Sequence, residues 1–199
     1  MSLEIFTALF IFALVSSITP GPNNLMLMAS GANFGFKRTI PHMLGVGIGF
    51  VFMIIMVGIG LMQLFDAFPL SYDILKIVSV LYLIYLTYKI ATASAPDGNL
   101  ETAGNPFTFF QAASFQWVNP KAWTMALTAI SIYSPARSLE SVLMVALAFG
   151  IVNLPSVSVW IVMGQQLRRL LTSPIKLRAF NITMAVLLLS SLYPVLYNR

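Results

Sequence analysis

The chain has 199 residues, of which 58% are hydrophobic and 9% charged, with a net charge of +5 and no cysteine; its mean hydropathy is +0.87. A soluble domain carries about 25% charged residues, so the composition excludes one and points to a lipid bilayer, with room for about six spans of ~20 residues. Disulfides, thiolate chemistry and cysteine metal sites are excluded as well, and the basic residues collect at span ends rather than in a nucleic-acid-binding patch.

The first predicted span runs from about Glu4 to Ser30. Its start, Met1-Ser2-Leu3-Glu4, lacks the positive charge of a signal peptide, so the span is read as retained. It is interrupted at Ile18-Thr19-Pro20-Gly21-Pro22-Asn23-Asn24. Each proline removes a backbone donor, and two asparagines follow at once. In lipid such a break is tolerated only where protein or a wet cavity satisfies the backbone. A loop, Gly31 to Arg38, is expected next, ending in Lys37-Arg38.

The second span is expected over about Thr39 to Leu64, opening with Pro41 and His42. Gly45 and Gly49 make a small-xxx-small face for close approach of another helix. The run Gly45-Val46-Gly47-Ile48-Gly49 lacks the GxGxxG spacing of a nucleotide loop. The following loop, Phe65 to Ser71, carries Asp66 and Pro69. A third span runs from about Tyr72 to Ala91, with Tyr82, Tyr85 and Tyr88 near its far end and Lys89 placed to snorkel to the headgroups. The polar connection from Thr92 to Pro106 includes Asp97 and Glu101 and is rich in Gly and Pro, as flexible linkers are.

The fourth span is expected over about Phe109 to Tyr133 and holds Gln116-Trp117-Val118-Asn119-Pro120-Lys121. The fifth, about Leu139 to Gly164, holds Asn153-Leu154-Pro155; a loop with Arg168, Arg169, Lys176 and Arg178 follows. The sixth runs from about Ala179 to Tyr197, with Tyr193 and Tyr197 as interface anchors. The expected fold is therefore all-α: one membrane domain of six transmembrane helices, built as two inverted three-helix repeats. The first half is 1–91, the linker 92–108 and the second half 109–199.

Seven of the eleven Lys and Arg residues fall on one side of this arrangement. They are Lys37, Arg38, Lys89, Arg168, Arg169, Lys176 and Arg178, against Lys76, Arg137 and Arg199 on the other. The richer side is expected to be cytoplasmic, with both termini in the periplasm or at the cell exterior. The first span then runs inward and the fourth outward. Matching interrupted spans in inverted halves are the best sequence pointer to a transporter's binding site.

Proline is preferred at the first position of a helix, and asparagine is a good cap before it. Asn119-Pro120 therefore reads as a fresh helix start within the membrane, and Pro22 starts the second part of the first span. Each start presents free N–H groups and about half a positive charge, which suits a carboxylate. Lys121 adds a full charge beside the second start. The acids Glu4, Asp66, Asp73, Asp97, Glu101 and Glu140 all lie at ends or in loops, so Lys121 is expected to lack a carboxylate partner and to meet one on a substrate. The candidate site is Thr19, Pro20, Gly21, Pro22, Asn23, Asn24, Asn119, Pro120 and Lys121.

Asn23, Asn24 and Asn119 are read both as caps and as ligand donors. Gln116 and Asn153 are read as interhelical hydrogen-bond partners, Trp117 and Trp123 as packing around the second break, and His42 as an interfacial histidine without a relay role. The substrate's ammonium is expected to meet carbonyls freed before Pro20 and Pro22. With no acid at depth, a small neutral amino acid suits the site better than a dibasic one. An intramembrane enzyme is disfavoured, because HExxH, GxSxG and paired buried acids are all missing. A scaffold subunit explains the glycine faces but not the paired breaks, and a passive channel fits them less well than alternating access. No cofactor or metal is expected; a homo-oligomer is left open.

At Thr19-Pro20-Gly21-Pro22-Asn23 and Asn119-Pro120-Lys121 the chain resembles the LysE/RhtB family of amino-acid exporters. The resemblance extends over nearly the whole length, through the Gly-rich start of span two, Tyr82-Leu83-Ile84-Tyr85-Leu86 and Phe115 to Lys121. The run Ile18 to Met28 with Gly35-Phe36-Lys37-Arg38 looks closest to the cysteine/O-acetylserine exporter branch. The resemblance implies export of small neutral amino acids, with homoserine and threonine as further members of the class, across a bacterial inner membrane and coupled to protons. It also implies that both break motifs serve the transport path. His42 and Lys121 are the only titrating candidates near that path.

Overall fold

The structure is a computed structural model that describes residues 3–61, 63, 67–68, 70–93, 105–134 and 138–191. Asp66, Pro69, Asp97, Glu101, Arg137, Tyr193, Tyr197 and Arg199 lie outside the described residues, as does most of the predicted linker. The described residues form seven helices: α1 Leu3–Ile18, α2 Pro22–Gly58, α3 Leu70–Ala91, α4 Phe109–Gln116, α5 Pro120–Tyr133, α6 Leu139–Leu167 and α7 Pro174–Ser190. Among the described residues, three stretches are long and apolar enough to cross a membrane: Pro22–Gly58, Asp73–Ala91 and Leu139–Leu167. Large apolar side chains such as Ile11, Phe52, Leu81, Ile84, Leu147 and Val186 face outward, as lipid requires. The all-helical, polytopic membrane class is therefore what the chain adopts.

The loop expected over Gly31 to Arg38 is instead helical up to a single interruption. Gly35, at φ 77° and ψ 172°, divides α2 into two arms, 22–34 and 36–58. Ser30 Oγ and Thr39 Oγ1 lie 2.9 Å apart across it. An unbroken helix would hold residues nine positions apart at about 13 Å along its axis, so the chain folds back at Gly35. Polar side chains from both arms let the turn tighten this far, and Thr39 Oγ1 also bonds Gly35 O at 2.8 Å. The other end of α2 comes earlier than expected, at Gly58, before Gly60 at φ 110°. α7 starts at Pro174, so Lys176 and Arg178 belong to its first turns rather than to a loop.

A Cβ at Gly35 would meet nothing within 4 Å. Gly35→Ala is therefore expected to destabilise through backbone strain alone, by about 1–3 kcal/mol. The check is the thermal midpoint of the purified variant in detergent; an unchanged midpoint would show that the turn tolerates a side chain.

α2 packs chiefly against α6 and also on α4, α1 lies on α6, and α3 pairs with α7. Glycines set the closest crossings. Cβ atoms at Gly45 and Gly49 would run into Phe109 and Ala113 of α4, so the predicted small-residue face is filled by that helix. Asn33 and Asn181 bond each other reciprocally at 2.7 and 3.0 Å, and Asn181 Nδ2 also reaches Ala93 O at 2.8 Å. This joins the arm of α2 before Gly35, the end of α3 and the middle of α7.

Three apolar clusters make up the core of the described residues; the smallest is Leu27, Val46, Ala112, Val157 and Ile161, and the two larger ones lie against the breaks. One gathers Leu9 and Ala13 of α1 with Ala122, Met125 and Ala129 of α5 and Phe149 of α6. The other gathers Met26 and Met28 of α2 with Phe115 of α4, Leu83 and Leu86 of α3, and Leu188 of α7. Each broken element thus gives one arm to each cluster, and both breaks fall in the layer between them.

Candidate functional site

Local chemistry makes both breaks. At the first, Gly21 is the cap of α2 without a side-chain bond, and Pro22 takes the first helical position. At the second, the last turn of α4 tightens into i→i+3 bonds from Trp117, Val118 and Asn119. Asn119 Oδ1 then accepts from Lys121 N at 3.1 Å, and Pro120 opens α5.

Every carbonyl freed at the first break has a donor. Ser16 O accepts from Thr19 Oγ1 at 3.1 Å. Asn24 Nδ2 donates to Ser17 O at 2.9 Å and Thr19 O at 2.8 Å. Trp160 Nε1 of α6 donates to Ile18 O at 3.0 Å. Gly21 O takes Leu25 N at 3.0 Å. Lys121 Nζ, from the second break, donates to Thr19 O at 2.8 Å, Thr19 Oγ1 at 2.9 Å and Pro20 O at 3.3 Å.

One expectation is corrected here. The carbonyls before Pro20 and Pro22 are not open to a substrate ammonium in this structure, because Lys121, Asn24 and Leu25 already occupy them. Lys121 itself, expected to lack a carboxylate partner, uses its three donors on Thr19 and Pro20. Those partners are uncharged oxygens, so its charge remains open to an anion.

A second bridge joins the breaks. Asn23 Nδ2 donates to Gln116 Oε1 at 2.8 Å, and Gln116 Nε2 returns a bond to Asn23 Oδ1 at 3.1 Å. Gln116 is thus the interhelical partner expected of it. Trp123 Nε1 donates to Trp117 O at 2.7 Å and closes the second break from its far side.

Gly21, Asn23, Asn24, Asn119 and Lys121 line one cavity, together with Ser16, Ser17, Phe50, Ala122, Met125, Asn153 and Val157. Thr19 and Pro20 are exposed and bonded to Lys121, and Pro22 and Pro120 open α2 and α5; these four are not among the lining residues. The first turns of α2 and α5 both reach this cavity, and first-turn N–H groups have no partner within their own helix. The cavity offers about 20 Å³ to the centre of a water-sized sphere, room for about one water. An amino acid needs far more, so the site is closed here and must widen to carry one. Phe50, Met125 and Val157 left no mark in the sequence, because ordinary span residues become lining only through packing; Ser16 and Ser17 had only their nearness to the first break.

His42 is not interfacial. It is fully buried, both ring nitrogens lack a hydrogen-bond partner, and its ring stands edge-on to Phe107 at 5.1 Å. Lys89 does not reach for headgroups: Nζ donates to Gln111 Oε1 at 3.1 Å and lies 4.7 Å from the centre of the Phe107 ring. Tyr82 OH likewise turns inward, to Gln111 O at 2.8 Å. Among the described residues no group of His, Asp and Glu could hold a metal ion.

The family model for the LysE type translocator matches residues 14–192. The cysteine/O-acetylserine efflux protein of Escherichia coli strain K12 is 26% identical over 192 residues, covering 94% of this chain and 95% of that protein. The protein of the same name in Escherichia coli O1:K1 is 27% identical over 192 residues, with the same coverage. No solved structure matches the chain.

Proposed function

The chain belongs to the LysE type translocator family, and on that premise we infer that it exports small neutral amino acids from the cytoplasm. As a family member it is a transporter and not an enzyme. Its relatives are named for cysteine and O-acetylserine efflux, and we take substrates of that size, with homoserine and threonine as further members of the class. We place it in a bacterial inner membrane as six spans in two inverted halves, 1–91 and 109–199, with the basic ends of the helices inward and the termini periplasmic. Export is driven by proton exchange, with Lys121, which lines the cavity, as the candidate proton carrier.

One observation carries this reading: two helix starts from opposite halves of the chain open onto the same cavity, and Lys121 joins them. In the loaded state the substrate carboxylate lies between the first turns of α2 and α5, where aligned N–H groups favour an anion. Lys121 Nζ leaves the Thr19 and Pro20 carbonyls to meet it, exchanging dipoles for a full charge. Asn24 and Asn119 hold the backbone of each break throughout, and Asn23 with Gln116 keeps the breaks in register.

The test is the medium of cells overproducing the full chain, scanned over all amino acids against an empty vector, with Asn23→Ala beside it. A small neutral amino acid is expected to accumulate, and Asn23→Ala to reduce it about ten-fold at equal protein, the effect of unpairing a buried amide. Accumulation of lysine or arginine would overturn the neutral-substrate reading. No accumulation above the vector would overturn export itself.

A further inference from the structure

The polar side chains around the two breaks are committed to one another: Asn24 to Ser17 and Thr19, Asn23 to Gln116, Asn119 to Lys121 N. One polar atom of the cavity wall stands outside this network. Asn153 of α6 is 4% exposed and lines the cavity, and its Oδ1 has no hydrogen-bond partner. Its Nδ2 donates to Ser17 Oγ of α1 at 3.3 Å. Gly47 of α2 faces Oδ1; even a Cβ added there would stand 3.8 Å away. Buried amide oxygens almost always have a donor, so one left without is a place for a ligand's donor.

We propose that Asn153 Oδ1 is the acceptor for the α-ammonium of the exported amino acid. This rests on the reading that an amino acid enters between the breaks. An ammonium can only donate, and Asn153 Oδ1 is an acceptor. Of the rival acceptors, Thr19 O and Gly21 O keep Asn24 and Leu25 when Lys121 turns to the carboxylate, and Pro20, which is exposed, is not among the lining residues. Carboxylate and ammonium are thus held by different elements: the helix starts of α2 and α5 take the first, and α6 the second. Because Asn153 is neutral, it adds little for an amine that brings no carboxylate. Pro155, two residues on, leaves Ile151 O without its helical donor, which lets α6 flex where Asn153 must adjust. Phe50, Met125 and Val157 complete the wall, so the side chain that fits beside the zwitterion is short and weakly polar.

The experiment uses the purified full chain in liposomes, with counterflow of labelled L-cysteine under reducing conditions. The competitors are unlabelled L-cysteine and 3-mercaptopropionate, which is cysteine without its amino group. In the natural protein L-cysteine should compete about ten-fold or more better than 3-mercaptopropionate, the worth of a hydrogen bond to a charged group. Asn153→Leu should weaken L-cysteine to the level of 3-mercaptopropionate and leave the latter unchanged. Asn153→Asp, which keeps an acceptor in place, should preserve the preference. If Asn153→Leu does not fold, Asn153→Ala reads the same ratio. A preference for L-cysteine that survives in Asn153→Leu or Asn153→Ala overturns the proposal. Equal competition by both compounds in the natural protein also overturns it while leaving export standing. A natural protein that shows no counterflow with L-cysteine or with any other small neutral amino acid overturns the export reading and this one with it.

Discussion

Lys121→Ala is expected to lower export about 100-fold or more at equal protein in the membrane. The ammonium makes three bonds to Thr19 and Pro20, across 102 and 101 residues of chain. Truncation leaves Pro20 O without its donor and removes the cation that answers the substrate carboxylate. A hydrogen bond to a charged group is worth about 1.5–3 kcal/mol, and each 1.36 kcal/mol is a factor of ten in rate. Lys121→Arg should not restore function. A guanidinium is a planar fork where the site holds a compact charge with three donors, and the stem must pass Gly21. A Cβ at Gly21 would stand 2.6 Å from Lys121 Cδ, so Gly21→Ala should displace the stem and lose export by a smaller factor. Efflux of labelled L-cysteine from loaded liposomes measures all three variants. Export by Lys121→Ala at the natural rate would remove Lys121 from the transport path.

Gly164→Val is expected to leave almost no folded protein. A Cβ at Gly164 would overlap Met28 O and crowd Ala32 N, and one at Gly31 would overlap the carbonyl of Ile161. These obstacles are backbone atoms, so relief requires α2 and α6 to separate, and that is the main packing contact of the fold. Overpacking a core costs about 1–3 kcal/mol where side chains can shift, and more where only backbone can move. Gly47→Ala is the matched control, because its Cβ would meet the flexible end of Leu154; it should fold with a slightly lowered midpoint. Size-exclusion profiles and thermal midpoints in detergent report both. A monodisperse Gly164→Val with the natural midpoint would show that the helices do not cross this closely.

The sequence by itself determined the class and the location of the breaks. Apolar composition excludes water as the surroundings, and proline acts on its own residue and its immediate neighbours, so the starts at Pro22 and Pro120 are legible without any partner. The close approach at Gly45 and Gly49 was legible for the same reason, since a missing Cβ is a local fact. What the sequence does not contain is the identity of each partner. Lys121 read as a cation without a carboxylate partner, but nothing in the sequence names the oxygens about 100 residues away that take its donors. His42 read as interfacial from its charged neighbours, but the fold-back at Gly35 and the packing of Phe107 enclose it completely. Asn153 read as an ordinary interhelical amide, and only the assembled cavity leaves its oxygen unpaired. The common reason is that backbone breaks are set within a few residues, whereas satisfaction of a polar atom depends on every donor and acceptor that packing brings within about 3 Å of it.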